Sequence, residues 1–219
     1  MIFVNFKTYK EATGEKAVFL AKICQEVSLE SKMEIIPIVS VVDLYRVFLE
    51  VKIPLWVQHL DYFPQGQFTG FINLEAVIAS GGKGALLNHA EHRLPPGTIS
   101  QIIKRVRKVS PSGFKVMVCG RTLGQIEKLK KLKPDFLSYE PPELIGGEIS
   151  VSQARPEVIE RITKRIKDIP IIVGAGIKSK EDVKKSLKLG AKGVLLSSGV
   201  VLAKEPKKVL FDLVSGFCS

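Results

Sequence analysis

The chain is poor in cysteine. Its 219 residues include three, Cys24, Cys119 and Cys218, widely separated and odd in number. No CxxC pair and no Cys/His cluster occurs, which argues against a zinc site and for a reducing compartment. Long apolar runs are also lacking. None approaches the roughly 20 residues that cross a bilayer, and the opening MIFVNFKTYK is too short and too polar for a signal peptide. A cytoplasmic protein without a membrane partner is expected. No basic arm and no aromatic-rich RNA-binding signature stands out, so the expectation is no nucleic acid.

Positive charge is what the chain has in excess. Lys+Arg 33 against Asp+Glu 22 gives a net charge of +11. The cations lie along amphipathic stretches such as IIKRVRKV, IEKLKKLK and ERITKRIKDI, which reads as solvated helix faces. The resulting field still favours small anionic substrates. A chain of this size can bury most of its apolar surface without a disulfide or metal staple, and 45% hydrophobic residues are ordinary for a globular protein.

The dominant pattern is alternation. Short apolar runs fall at Ile2–Val4, Ile35–Val39, Leu55–Val57, Ala85–Leu87, Lys115–Val118, Phe136–Ser138, Ile171–Val173 and Val194–Leu196. Most lack a polar face, as strands buried on both sides do in a parallel sheet. Between them lie helical stripes: Ala17, Leu20, Ala21, Cys24 and Val27; Ile99, Ile102, Ile103, Val106 and Val109; Leu123, Ile126, Leu129 and Leu132; Val158, Ile162 and Ile166. Weaker helical patterns cover Val42–Glu50, Asn73–Ser80 and Pro206–Phe217. Ser179 with Asp182 fits a capping box, Pro156 a first helical position and Gly190 a helix end. Eight strand–helix units with no leftover segment predict a single α/β domain over residues 1–219, a (β/α)8 TIM barrel. A doubly wound sheet shares the alternation and is the rival.

In such a barrel the site lies beyond the C-terminal ends of the strands. The residues found there are Asn5 and Lys7 after the first strand and Gln58 and His59 after the third. Asn88, His89, Glu91, His92 and Arg93 follow the fourth, and Cys119, Gly120 and Arg121 the fifth. Glu140 ends the sixth, Gly174–Gly176 the seventh, and Ser197, Ser198 and Gly199 the eighth. A carboxylate can take a proton, a neutral imidazole can polarise an oxygen, and a lysine can stabilise the negative charge that develops. Lys7, His89 and Glu140 together suit proton abstraction next to a carbonyl, through an enediolate. The loops after strands seven and eight suit phosphate. The set needs no cofactor and no metal.

NFKTY, LLNHAEHR, YEPPELIGG, VGAGI and LLSSGV, in this order and spacing, resemble the triosephosphate isomerase family, closest to its short archaeal form. The family is itself a standard illustration of such a division of labour, so the roles come from the resemblance and not from spacing. It implies Glu140 as the base, His89 as the neutral electrophile, Lys7 as the positive charge on enediolate and phosphate, and Asn5 as a substrate-placing residue beside Phe6. Glu91 would support the lysine. PPELIGG would be a closing lid, with a stiff Pro141–Pro142 hinge and a glycine hinge. Ile145 would cover the site, and N–H groups of Gly146, Gly176, Ser197 and Ser198 would meet the phosphate of a small phosphorylated triose. QGQFTG at Gln65–Gly70 matches a loop that reaches a partner's site through Thr69, so a homo-oligomer is implied, a tetramer before a dimer. The activity implied is the interconversion of D-glyceraldehyde 3-phosphate and dihydroxyacetone phosphate in glycolysis and gluconeogenesis.

The chain departs from the family pattern in four places. Ala90 stands where a serine commonly follows the histidine, so a hydroxyl contact to the base is expected to be lost. His92 stands for an arginine, Pro141-Pro142-Glu143 for Pro-Val-Trp, and Ser197–Ser198 for two glycines. His59 and His92 read as structural or supporting. Two other readings share parts of the pattern: another phosphate-binding barrel enzyme, and a nonenzymatic basic protein.

Overall fold

A computed structural model describes residues 1–110, 113–147 and 149–218. Eight parallel strands close on one another in chain order: β1 (Ile2–Asn5), β2 (Ile35–Val39), β3 (Leu55–Val57), β4 (Gly82–Leu87), β5 (Lys115–Gly120), β6 (Phe136–Tyr139), β7 (Ile171–Gly174) and β8 (Gly193–Leu196). β8 pairs with β1 through Ile2↔Val194 and Val4↔Leu196, and this closure excludes the doubly wound rival. Around the barrel run α1 (Glu15–Ser31), α2 (Val41–Glu50), α3 (Leu74–Ala79), α4 (Pro96–Val109), α5 (Leu123–Lys130), α6 (Val151–Ala154), α7 (Pro156–Arg165), α8 (Lys180–Lys188), α9 (Ser198–Val201) and α10 (Pro206–Ser215).

Strand side chains alternate between two apolar environments, which is why the strands show no polar face. One set, including Val4, Val57, Leu87, Val118, Leu137 and Val173, packs under the helices. The other fills the barrel: Phe3, Ile36, Ile38, Trp56, Leu86, Met117, Cys119, Ile172 and Leu195. Phe3, Trp56 and Phe136 meet edge-on or tilted, with ring centroids 5.0 to 5.8 Å apart. β4 begins three residues before its apolar run because Gly84 is shaped by this packing. A Cβ there would lie 2.2 Å from the Trp56 ring.

The inward face turns polar toward the C-terminal end. Two-residue steps lead from Phe3 to Asn5 on β1, from Leu86 on β4 to Asn88 just beyond it, and from Phe136 through Ser138 on β6 to Glu140 just beyond it. The helix signals hold where the chemistry is local. Ser179 and Asp182 form the full capping box of α8, Pro156 opens α7, and Gly190 closes the turn after α8 at φ 94°. Two stripe positions sit at the edge: Val109 is exposed at the end of α4, and in α7 Ile159 is buried where Val158 is only half-buried.

Candidate active site

Lys7, His89 and Glu140 converge on one pocket at the C-terminal mouth. Asn5, Ile145, Gly146, Ala175, Gly176, Ser197, Ser198 and Gly199 complete much of its lining. Phe6 does not join them. Its side chain is fully buried in the core beneath the helices, because the two-residue alternation that turns Asn5 inward turns Phe6 outward.

Each chemical side chain is held by its own strand end. Lys7 sits at φ 49°, an uncommon conformation for a non-glycine residue. Its N–H donates to Asn5 Oδ1 at 3.0 Å, and Gln58 Nε2 donates to its carbonyl at 2.9 Å. The Lys7 ammonium pairs with Glu91 Oε1 at 2.5 Å. Gln58 and Glu91 thus fix the backbone and the tip of the lysine. Gln58 was legible only as a polar residue on the right rim, with nothing in the sequence to tie it to Lys7.

Asn88, also at positive φ (60°), turns the chain after β4. Its Nδ2 donates to the Cys119 carbonyl at 2.8 Å and its Oδ1 accepts from Leu94 N at 3.0 Å. The turn delivers His89, only 7% exposed, to the pocket wall. The Glu91 N–H donates to His89 Nδ1 at 3.3 Å. That bond assigns the neutral ring its proton on Nε2, the nitrogen 3.4 Å from Glu140 Oε2. Burial disfavours the imidazolium, but the Glu140 and Glu91 carboxylates outweigh it and raise the His89 pKa above its ordinary value.

Glu140 is 4% exposed. Its backbone N–H donates to the Gly120 carbonyl at 2.9 Å, and Ser138 Oγ donates to its Oε1 at 2.9 Å. Burial alone would raise its pKa. His89, with the Cys119 thiol and the Ser138 hydroxyl, overcomes this and holds it below the usual value. A carboxylate that stays ionised although almost fully buried is a competent base.

The opposite wall is backbone. Ala175 and Gly176 both have positive φ, 79° and 71°. A Cβ on Gly176 would lie 2.5 Å from the Ile149 carbonyl. Ser197 caps the four-residue α9, whose first turn leaves its leading N–H groups without intrahelical partners. Pro142–Leu144 form a single 3-10 turn, and Gly146 follows at φ 71°. Glu143 pairs with Arg155 at 3.2 Å.

The remaining rim residues form a separate group. His59 and His92 stack with ring centroids 4.2 Å apart, and His59 Nε2 lies 3.3 Å from Asp61 Oδ1. Together with Gln58 and Glu91 they line a second cavity that also touches Asn5, Lys7 and His89. Asp61 Oδ2 accepts the Ile72 N–H at 2.8 Å, closing the base of the projecting loop between β3 and α3. On that loop Phe63 stacks on Tyr62 and Phe68, and Thr69 is exposed. Among the described residues no group of three or more His, Cys, Asp or Glu could hold a metal ion, and no helix is long and apolar enough to cross a membrane.

Curated relatives cover almost the whole chain. A protein named triosephosphate isomerase from Methanothermus fervidus is 44% identical over 219 residues, covering 98% of this chain and 97% of its own. Those from Saccharolobus solfataricus and Methanocaldococcus jannaschii are 43% and 41% identical over 218 residues, each covering 98% of this chain and 95% and 98% of their own. The family model described as triosephosphate isomerase matches residues 1–215. With barrel, pocket and relatives in agreement over the same residues, the chain belongs to the triosephosphate isomerase family.

Proposed function

We propose that the chain, one barrel domain over its whole length, interconverts D-glyceraldehyde 3-phosphate and dihydroxyacetone phosphate. Glu140 Oε2 takes a proton from the carbon next to the carbonyl and returns it to the neighbouring carbon. The His89 Nε2–H donates to the carbonyl oxygen as it becomes negative, and Lys7 places its ammonium beside the enediolate. Asn5 holds the Lys7 backbone and borders the substrate. The phosphate lies against N–H groups of Gly146, Gly176, Ser197 and Ser198, and Ile145 covers it. Water exclusion then keeps the enediolate from expelling phosphate. The observation that carries this reading is the buried Glu140 carboxylate 3.4 Å from His89 Nε2, with Lys7 lining the same pocket.

The cavity beside the site, bordered by His59 and His92, would take a loop from a second copy. We read the aromatic loop between β3 and α3 as that element, Thr69 pointing across, in a homo-oligomer; the preference for a tetramer rests on the resemblance alone. Sedimentation of the purified chain tests this reading: a monomer as the active species overturns it. Three free cysteines fit a cytoplasmic setting. The activity is tested by a coupled assay of glyceraldehyde 3-phosphate isomerisation, with Glu140→Gln as control. Turnover that drops about 10³-fold in the control supports both the reaction and the base. A folded protein without turnover, or an equally active control, overturns the reading.

A further inference from the structure

Ser138 interrupts an apolar interior. It lies in the middle of β6, fully buried, between Cys119 on β5 and Ile172 on β7. A hydroxyl in that position destabilises the fold unless it is hydrogen-bonded. Its partner is the carboxylate two residues on: Ser138 Oγ donates to Glu140 Oε1 at 2.9 Å. The other oxygen, Oε2, faces His89. One oxygen is thus tied to the strand beneath, and the other is presented to the pocket.

The surroundings make this tie consequential. On the β7 side Gly174 leaves the space the carboxylate occupies, since a Cβ there would lie 2.4 Å from Glu140 Cγ. From β5 the Cys119 thiol, a weak donor, lies against Glu140. From the loop after β4, Ala90 offers only a methyl group to the small cavity behind Glu140. An alanine at 138 would fill nearly the same volume, so the consequence of the hydroxyl falls on the carboxylate.

We propose that Ser138 is the positioning residue of the Glu140 base: its hydroxyl pins Oε1 so that Oε2 meets the substrate carbon, and it stabilises the ionised carboxylate. The proposal rests on the reading of Glu140 as the base. Ser138 transfers no proton. A donor to the charged form holds the carboxylate pKa down, so its loss moves the acid limb of activity to higher pH.

The test compares wild type, Ser138→Ala, Ser138→Ala with Ala90→Ser, and Glu140→Gln, each checked for folding by thermal melting. The ratio of kcat/KM between Ser138→Ala and wild type cancels the titration of the substrate phosphate. The expected result is a kcat lower by about tenfold, the scale of one hydrogen bond to a charged group, and a ratio that falls further as the pH is lowered. Ala90→Ser, which places a hydroxyl on the other wall of the cavity behind Glu140, is expected to restore much of the loss. A Ser138→Ala enzyme with wild-type kcat, or a slow one with a flat ratio and no rescue, overturns the proposal while an inactive Glu140→Gln leaves the base standing. An active Glu140→Gln overturns the base and the proposal together. If the alanine variant does not fold, Ser138→Cys carries the same comparison with a weaker donor of similar size, and a flat ratio again overturns the proposal.

Discussion

The two walls of the pocket are built differently. One presents side chains from strand ends: Lys7, His89 and Glu140, each tied by hydrogen bonds to Asn5, Glu91 or Ser138, the last of them fully buried. The other presents backbone: Gly146, Ala175 and Gly176 at positive φ, and the first turn of α9. Proton transfer needs a few groups fixed to within a fraction of an ångström, and rigid strands supply that. An anion needs several N–H groups pointing one way, which requires backbone conformations that most side chains disfavour. Substitutions on the first wall should therefore reduce turnover in a stable protein. Those on the second should act through affinity, lid motion and local stability.

The largest effect is expected on the first wall. Glu140→Asp draws the carboxylate back by one methylene, away from the carbon that the proposed base would reach. Turnover should fall by about 10² to 10³-fold with a melting temperature close to wild type. Steady-state kinetics and calorimetry on one sample check both halves. A melting temperature that collapsed along with the rate would erase the distinction between the walls.

Gly176→Ala is the counterpart on the second wall. Its φ of 71° strains any L-residue, and the added Cβ would meet backbone, the Ile149 carbonyl and Ser150 Cα, at 2.5 and 2.8 Å. Backbone cannot give way as a flexible side chain can. The cost is expected at about 2–3 kcal/mol of stability, with a clear rise in KM for the phosphorylated substrate. A wild-type melting temperature and KM would mean that this turn is free to rearrange and does not define a cradle.

The contrast also accounts for how much was legible in the sequence. The barrel followed from eight unpatterned apolar runs, and Ile35–Val39 and Leu55–Val57 coincide with β2 and β3 to the residue. The start of β4 was obscured because Gly82 and Gly84 carry no hydrophobic signal, although Trp56 needs Gly84 to be bare. Lys7, His89 and Glu140 were visible as ionisable residues at strand ends. Phe6 entered the site reading as a neighbour of Lys7, and the alternation of β1 sends its side chain into the core. Ser138 was read only as the last residue of an apolar strand. Its link to Glu140 depends on which face of β6 turns inward and on how far the strand extends, and a three-residue run sets neither. The loss of a hydroxyl at Ala90 was legible, whereas a hydroxyl approaching from below became visible only with the fold.

A smaller effect concerns the charge shared within the first wall. Burial pushes the His89 imidazole down, while Glu140 and Glu91 pull it above its ordinary value of 6.5. Glu140 is held below its ordinary 4.5 in spite of burial. The raised histidine contributes stability that is complete below about 6.5 and lost as pH rises through its folded pKa. The depressed carboxylate contributes stability that is complete above about 4.5 and lost as pH falls through its own. Their contributions therefore overlap most fully between about 4.5 and 6.5. Glu140→Gln removes the larger of the two carboxylate pulls on the ring, so His89 should titrate lower in that variant than in wild type. Nitrogen-15 NMR of the imidazole reads both values. Equal values in the two proteins would show that Glu140 does not govern the charge of His89.

Gly146 gives the mildest test, and the one that separates strain from collision. Its φ of 71° equals that of Gly176, yet a Cβ on Gly146 would have nothing within 4 Å. Gly146→Ala should therefore carry only the backbone penalty of about 1 kcal/mol, confined to the loop around Gly146. Global stability should hardly change. If closure of this segment keeps water from the enediolate, the strain raises the fraction of turnovers that end in loss of phosphate, releasing methylglyoxal. A few-fold rise in methylglyoxal per isomerisation, at an unchanged melting temperature, is the expected reading, with a larger rise for the bulkier Gly146→Val. If Gly146→Ala instead destabilised the protein as much as Gly176→Ala, the positive φ alone would account for both losses and the carbonyl of Ile149 would play no part. If it changed neither stability nor partitioning, the backbone wall would end at Gly176, and the lid would shield the intermediate through Ile145 alone.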